Sequence, residues 1–301
     1  MKGLFPVFAG LSLWFIGGPD GLDTQAYQLL IVFLTVIASL MVRAIPMAVS
    51  VLTGLTFVVT VEILPLKSAL MGYSDTTTWL VVVAFMIAGA VIETGLGRRI
   101  ALLCILILGR SITGLGYAIC LAEFILGPVV PSNTARGGGI LAPIVDSISR
   151  TLGSSPKNKP EKAGQYLHLV GAHANLITAA MFLTGMAANP LISKAAFDIF
   201  EIQFDWFTWA KGGIVPGLIG LTGLPLLINY ISTPTIDSIQ PIREKFQEDM
   251  QSIGTWTRPE PITACSLGLM IIFWGHKPFH RWGTTTDDFW GLVFRSLHRT
   301  L

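Results

Sequence analysis

Residues 113–148 read TGLGYAICLAEFILGPVVPSNTARGGGILAPIVDSI. An apolar arm, Thr113–Val130, stops at Pro131, and a second apolar arm covers Ile140–Ile148. Between them lies the polar, Gly-rich run Pro131-Ser132-Asn133-Thr134-Ala135-Arg136-Gly137-Gly138-Gly139. Arg110 precedes the first arm, and Arg150, Lys157, Lys159 and Lys162 follow the second. Basic residues gather on the cytoplasmic side of a membrane, so both outer ends are drawn to one side. The arms then form a re-entrant hairpin with its polar tip inside the bilayer. Non-helical backbone is tolerated at that depth only where it lines a cavity or is buried in protein. The alternative is two short spanning helices joined by an exposed loop, with Arg136 opposite the basic ends.

Composition supports a bilayer as the solvent. Hydrophobic residues make up 52% of the 301 residues and charged residues 13%, with a mean hydropathy of +0.65. A soluble domain carries about 25% charged residues. Residues 46–64 and 210–231 are each near the ~20 residues that cross a hydrocarbon core. Such runs must be helices, because lipid offers the backbone no partner. They lack the alternating polarity of a β-barrel strand. The expectation is an all-α, polytopic membrane protein with roughly seven or eight membrane segments, near Leu4–Gly17, Tyr27–Met41, residues 46–64, Thr78–Leu96 and onward. The first of these is read as a retained helix, since no A-x-A-like cleavage site follows it. A net charge of +2 gives no footprint for nucleic acid. Cys104, Cys120 and Cys265 have no metal-ligand or CxxC spacing, and no hydrolase triad, P-loop or metal cluster stands out. An enzyme or an ATP-driven pump is therefore not expected, nor is a cofactor.

A second interruption follows. Tyr166–Leu183 is apolar, then comes Thr184-Gly185-Met186-Ala187-Ala188-Asn189-Pro190, then Leu191–Phe200. Gly, Asn and Pro replace helix formers in mid-stretch, which marks a broken helix. Interrupted segments are the best sequence pointer to a transporter's binding site. Helix N-termini at such breaks attract a carboxylate. Ser132, Asn133 and Thr134 add neutral donors, which suit a carrier that must also release its anion. Arg136 either complements a second carboxylate or is structural. Carbonyls freed at Thr184–Asn189 could accept a cation. Glu93, Glu123, Asp146, His173 and Asn175 are costly in lipid and should face protein or a cavity. Glu201–Trp209 suits the interface, and residues 232–261 are read as lying outside the membrane.

These residues resemble the divalent anion:sodium symporter family, in its 2-oxoglutarate/malate translocator branch. Residues 131–148 look like its first signature, 171–196 like its following broken helix, and 72–85 also fit. The resemblance covers about residues 1–262, read as one transporter repeat. It implies secondary active transport of dicarboxylates, by exchange or by cation-coupled symport, in a homodimeric elevator with two inverted repeats per protomer. It implies substrate contacts at Ser132, Asn133 and Thr134, and further contacts near Thr184, Gly185 and Asn189. It also implies sodium, where it is the coupling ion, at Ser132, Asn133 and Gly185. The location expected is a bacterial cytoplasmic membrane, with the plastid inner envelope as the alternative. Another divalent anion such as sulfate, or a non-transporting fragment, are the competing readings.

The chain departs from that family in having one Ser-Asn-Thr hairpin and an atypical tail, 263–301, with three of its five histidines after residue 275. The expectation is a truncation or frameshift. Reading the encoding DNA past the stop in all frames should then reveal a second Ser-Asn-Thr hairpin; its absence would discard the idea.

Overall fold

The computed structural model describes residues 5–275, apart from Asp20, Ala44, Lys162, Asp237 and Ser238. Among the described residues there are thirteen α-helices and no strand. Contacts divide the chain into two units, 1–78 and 79–301.

The first unit holds α1 (Phe5–Ile16), α2 (Thr24–Val42), α3 (Met47–Thr60) and the single turn α4 (Leu66–Ala69). Glycines let its helices approach closely, as they do in membrane bundles. A Cβ on Gly10 would fall 2.2 Å from Thr35 Oγ1, and one on Gly54 would fall 2.5 Å from Val36 Cγ2. Tyr27 Oη donates to the Leu13 carbonyl at 3.2 Å, so α1 runs back along α2. The apolar run 46–64 is shorter as a helix than expected. Glu62 takes a left-handed backbone (φ 58°) and Ile63 N–H turns back to the Val58 carbonyl at 3.0 Å.

The second unit begins within α5 (Thr76–Glu93) and continues through α6 (Leu96–Leu108), α7 (Ile112–Leu126), α8 (Ala142–Thr151), α9 (Gly164–Met181), α10 (Ala188–Phe200), α11 (Trp206–Ile231), α12 (Gln240–Ile253) and α13 (Pro259–Gly275). Its core joins α6, α7, α8, α9, α11 and α12 around residues such as Leu115, Ile119, Ile148, Leu167 and Val170. Two boundaries differ from expectation. Gly97, Arg98 and Arg99 open α6 rather than close the preceding helix, because left-handed Gly95 (φ 77°) starts a new one. The segment 232–261 is not merely a polar connection: α12 buries Ile242 and Phe246 in the core. The boundary expected at 262/263 falls inside α13, and residues 276–301 lie outside the described residues.

Two described helices, Thr24–Val42 and Trp206–Ile231, are long and apolar enough to cross a bilayer, and five shorter apolar helices accompany them. In α11, Asp205 caps the Thr208 N–H at 2.6 Å. Its prolines, Pro216 and Pro225, lie inside the helix, and Tyr117 and Tyr166 donate to the nearby carbonyls of Thr222 and Pro225.

A buried ion pair ties α6 to the start of α13. Arg99 Nε meets Glu260 Oε1 at 2.7 Å and its Nη2 meets Oε2 at 3.1 Å. The same guanidinium donates to the Gly254 carbonyl at 3.1 Å and stands 5.3 Å from the Trp256 ring centroid. Glu260 also caps the Thr257 N–H at 2.7 Å. The hydrogen bond from Arg99 holds the Glu260 carboxyl below its ordinary range. A carboxylate with a depressed folded pKa stabilises above its unfolded value and loses that contribution as pH falls through the folded one. Glu260→Gln should lower the melting temperature at pH 7 by about 5–10 °C, since it leaves the buried Arg99 charge unpaired. Melting scans of the detergent-solubilised protein should show this gap intact at pH 5 and closing only below the ordinary carboxylate range, about pH 4.

Candidate functional site

The two interruptions seen in the sequence meet in the second unit. The first spans residues 127–132, after α7; the helix resumes at Asn133 and widens into a π turn over Ala135–Leu141 before α8. The Gly-rich run is therefore helical rather than a loop. Single π turns are rare and occur often at functional sites. A Cβ on Gly137 would stand 3.2 Å from the Asn175 side chain, so glycine lets the turn lie against α9. The second interruption runs over residues 182–187, between α9 and α10. Asn189 and Pro190 fall inside the first turn of α10 rather than in the break, where proline's missing N–H costs nothing.

Arg136 joins the two. It is fully buried, and its Nε meets Glu123 Oε2 of α7 at 3.0 Å, both side chains being 0% exposed. Its Nη1 donates to the Val130 carbonyl in the first break and, at 2.8 Å, to the Gly185 carbonyl in the second. Its Nη2 reaches Thr178 Oγ1 at 3.4 Å. Glu123 accepts in turn from Asn175 Nδ2 at 2.8 Å and Thr178 Oγ1 at 2.9 Å. Asn175 also donates to the Asn133 carbonyl at 3.0 Å. Arg136 thus directs its charge at protein acceptors and presents none at the surface, the arrangement of the structural reading that the sequence left open beside a contact with a second carboxylate.

The carbonyls freed by the breaks have donors. Thr184 Oγ1 donates to the Pro128 carbonyl at 2.8 Å and accepts from Trp206 Nε1 at 3.0 Å. Asn189 Nδ2 caps the Ala179 and Phe182 carbonyls at 2.7 and 2.9 Å. Trp209 Nε1 takes the Ala180 carbonyl at 2.9 Å. Gly185 is packed where a Cβ would come within 2.6 Å of the Ala179 carbonyl oxygen. Thr184, Gly185 and Asn189 are all buried.

Ser132, Asn133 and Thr134 form the accessible tip: the first two are half-buried and Thr134 is exposed. Ser132 caps the resumed helix, its Oγ accepting from the Ala135 N–H at 3.1 Å. Asn133 Oδ1 accepts from the Thr134 N–H at 3.0 Å. Among the described residues, no acceptor takes the Ser132 hydroxyl, the Asn133 amide N–H2 or the Thr134 hydroxyl. The structure therefore brings together Ser132, Asn133, Thr134, Arg136, Thr184, Gly185 and Asn189 as two shells: three at the tip with spare donors, and four beneath it.

The other polar residues flagged by sequence separate. Glu123 and Asn175 belong to the network; Asp146 pairs with Arg150 at 2.7 Å on α8; Glu93 and His173 are exposed, His173 Nδ1 lying 2.8 Å from the Leu169 carbonyl. Thr178, Trp206 and Trp209 were not singled out. Thr178 sits three residues after Asn175, one turn on along the same helix face, and that spacing could have found it.

Comparison with known proteins identifies the family. The family model for the sodium:sulfate symporter transmembrane region matches residues 1–295. The Bacillus subtilis (strain 168) protein YflS is 36% identical over 299 residues, covering 99% of this chain and 63% of its own length. The chloroplastic dicarboxylate transporter 1 of Arabidopsis thaliana is 36% identical over 272 residues, covering 90% of this chain and 49% of its own. The L-tartrate/succinate antiporter of Shigella boydii serotype 4 is 29% identical over 272 residues, covering 84% and 55%. The chain spans between about half and two thirds of the length of these relatives. With a family match over nearly its whole length and helices suited to a bilayer, this chain belongs to the sodium:sulfate symporter transmembrane-region family, a family of divalent anion:sodium symporters.

Proposed function

We propose that this chain carries dicarboxylates across a membrane by secondary active transport, with Ser132, Asn133 and Thr134 as substrate ligands at the tip of a re-entrant hairpin. The observation that carries this reading is the pairing of unspent neutral donors at the tip with a buried, internally neutralised ion pair beneath it. Ser132, Asn133 and Thr134 supply O–H and N–H groups at the start of a helix, whose positive end favours a carboxylate. The names of the Arabidopsis and Shigella relatives support dicarboxylates over sulfate. Exchange and sodium-coupled symport both fit; for a coupling sodium the tip oxygens of Ser132 and Asn133 are the first donors to test, with the Gly185 carbonyl already engaged by Arg136. A homodimer in a bacterial cytoplasmic membrane, or in a plastid inner envelope, belongs to the same proposal, as does the assignment of residues 1–262 to one of two inverted repeats. Thr184, Gly185 and Asn189 serve here as the support that holds the tip, and Arg136 as a positioning residue.

The deciding experiment is counterflow into proteoliposomes, with unlabelled malate inside and labelled 2-oxoglutarate outside. Uptake is expected, with a fall of about tenfold or more in Asn133→Ala, the loss of one charge-assisted donor. Excess sulfate should compete more weakly than malate. In a Cys265→Ser background, which removes the exposed thiol, malate should slow the modification of Thr134→Cys by a membrane-impermeant maleimide. Protection without uptake would leave binding and overturn transport, pointing to a non-transporting fragment. Absence of both uptake and protection would overturn the reading.

The support role makes a separate prediction. Glu123→Ala or Arg136→Ala leaves an uncompensated buried charge and should cost roughly 3–5 kcal/mol of stability. Glu123→Gln with Arg136→Met should recover much of that stability without recovering uptake, because the Val130 and Gly185 carbonyls lose their shared donor. Melting and counterflow measured on the same preparations check both halves.

A further inference from the structure

Between α1, α2 and α3 lies a cavity of about 190 Å³ that no part of the carrier reading uses. Its walls are almost wholly apolar, and it runs from Ser39 and Ser50 at the end near Arg43 to Trp14 and Phe57 at the other, where the two rings meet edge to face at 5.6 Å. Ser50 and Phe57 are two turns apart on α3, about 10 Å at the helical rise of ~1.5 Å per residue.

Ser50 is out of place. Hydroxyls in membrane helices usually donate back to the carbonyl one turn earlier. Ser12, Ser39, Thr56 and Thr60 in this unit all do so, at 2.8–2.9 Å. Ser50 is 5% exposed, lines the cavity, and its Oγ has no hydrogen-bond partner. Leaving a buried hydroxyl unmatched is unfavourable, so the site calls for an acceptor. A protein helix is a poor candidate: its carbonyls are engaged in its own ladder, and at about 10 Å across it is too wide for this space. Dry apolar cavities of this order take up hydrocarbon groups. Arg43, exposed at the end of α2, adds a cation that no described carboxylate pairs with. A cation, then a buried unmatched hydroxyl, then an apolar cleft bounded by aromatic rings is the polarity order of a phospholipid from headgroup to chain. Anionic headgroups are the ones drawn to basic residues at a membrane surface.

We propose that α1–α3 hold one anionic glycerophospholipid: phosphate beside Arg43, an ester carbonyl accepting from Ser50 Oγ, and one acyl chain in the cavity against Phe57 and Trp14. The site is independent of the substrate reading and stands or falls by a different measurement.

The test uses the full chain in nanodiscs of phosphatidylcholine containing phosphatidylglycerol with a diazirine on its acyl chain. After illumination, adducts mapped by mass spectrometry should concentrate on Ile31, Phe57 and Trp14 rather than on the exposed Phe5 and Phe15. Ser50→Leu, which fills the cavity, should lower cavity labelling about tenfold. Ser50→Ala should lower it about threefold, the worth of one net hydrogen bond. Arg43→Gln should abolish the preference for a phosphatidylglycerol probe over a phosphatidylcholine probe. Should Ser50→Leu fail to insert, competition on the wild-type chain decides: unlabelled phosphatidylglycerol should displace the probe where hexadecane does not. Even labelling over all lipid-facing residues, unchanged by Ser50→Leu, would overturn the site. So would cross-links between the α1–α3 faces of two copies.

Discussion

Two full charges, Arg136 and Glu123, are buried where neither water nor a lipid headgroup can reach them. Taking an isolated ion out of water is prohibitive, and even a pair breaks even only when its geometry is good and its remaining donors and acceptors are matched. Here they are matched by named groups: two carbonyls and Thr178 for the guanidinium, and Asn175 with Thr178 for the carboxylate. The two carbonyls belong to different breaks in different helices. The pair therefore does more than neutralise itself. It fastens the end of the first interruption to the middle of the second, and the positions of Ser132, Asn133 and Thr134 follow from that fastening.

The same logic extends outward. A break in a membrane helix is tolerated only when the freed backbone groups find other partners. Each partner in this site is a side chain whose shape and donors match the carbonyls it serves. A forked guanidinium spans two loops, and an asparagine amide bridges two carbonyls of one frayed turn. Indole N–H groups come from the start of the next helix, and a threonine hydroxyl both gives and receives. Gly185 completes the arrangement by leaving room where a Cβ would collide with the frayed turn of α9. With these claims settled inside the protein, the side-chain donors of this site left without partners, among the described residues, are those at the tip.

Much of this was legible in the sequence, and the failures have physical causes. Composition and apolar run length pointed to a helical membrane protein, and Gly, Asn and Pro in mid-stretch located the second break to within a few residues, whereas the first, expected over 131–139, lies at 127–132 with the Gly-rich run helical. The π turn was not legible: Gly137–Gly139 has low helix propensity, and the turn lies against α9 through Gly137, a contact that a sequence does not show. Arg136 was ambiguous because a sequence places a charge along a chain and not its direction. Its direction depends on Glu123, thirteen residues earlier, and on Gly185, forty-nine residues later. Helix α12 was missed because its many charges read as a polar connection. Yet Ile239, Ile242, Phe246, Met250 and Ile253 recur at helical spacing and form the stripe that packs on the core.

On the proposed reading, a tip of this kind also bears on how a doubly charged cargo could be held. A helix N-terminus is worth about half a positive charge, and neutral donors add directional bonds without adding charge. That suits one carboxylate held reversibly. The buried guanidinium is not free to serve the other, since moving it outward would strand Glu123 and release the Val130 and Gly185 carbonyls together. On the proposed reading, a second carboxylate must find its donors on a second tip or in water. On that same reading, affinity at a single tip is traded for reversibility, and specificity for a dicarboxylate lies in the distance between two such tips rather than in the strength of either.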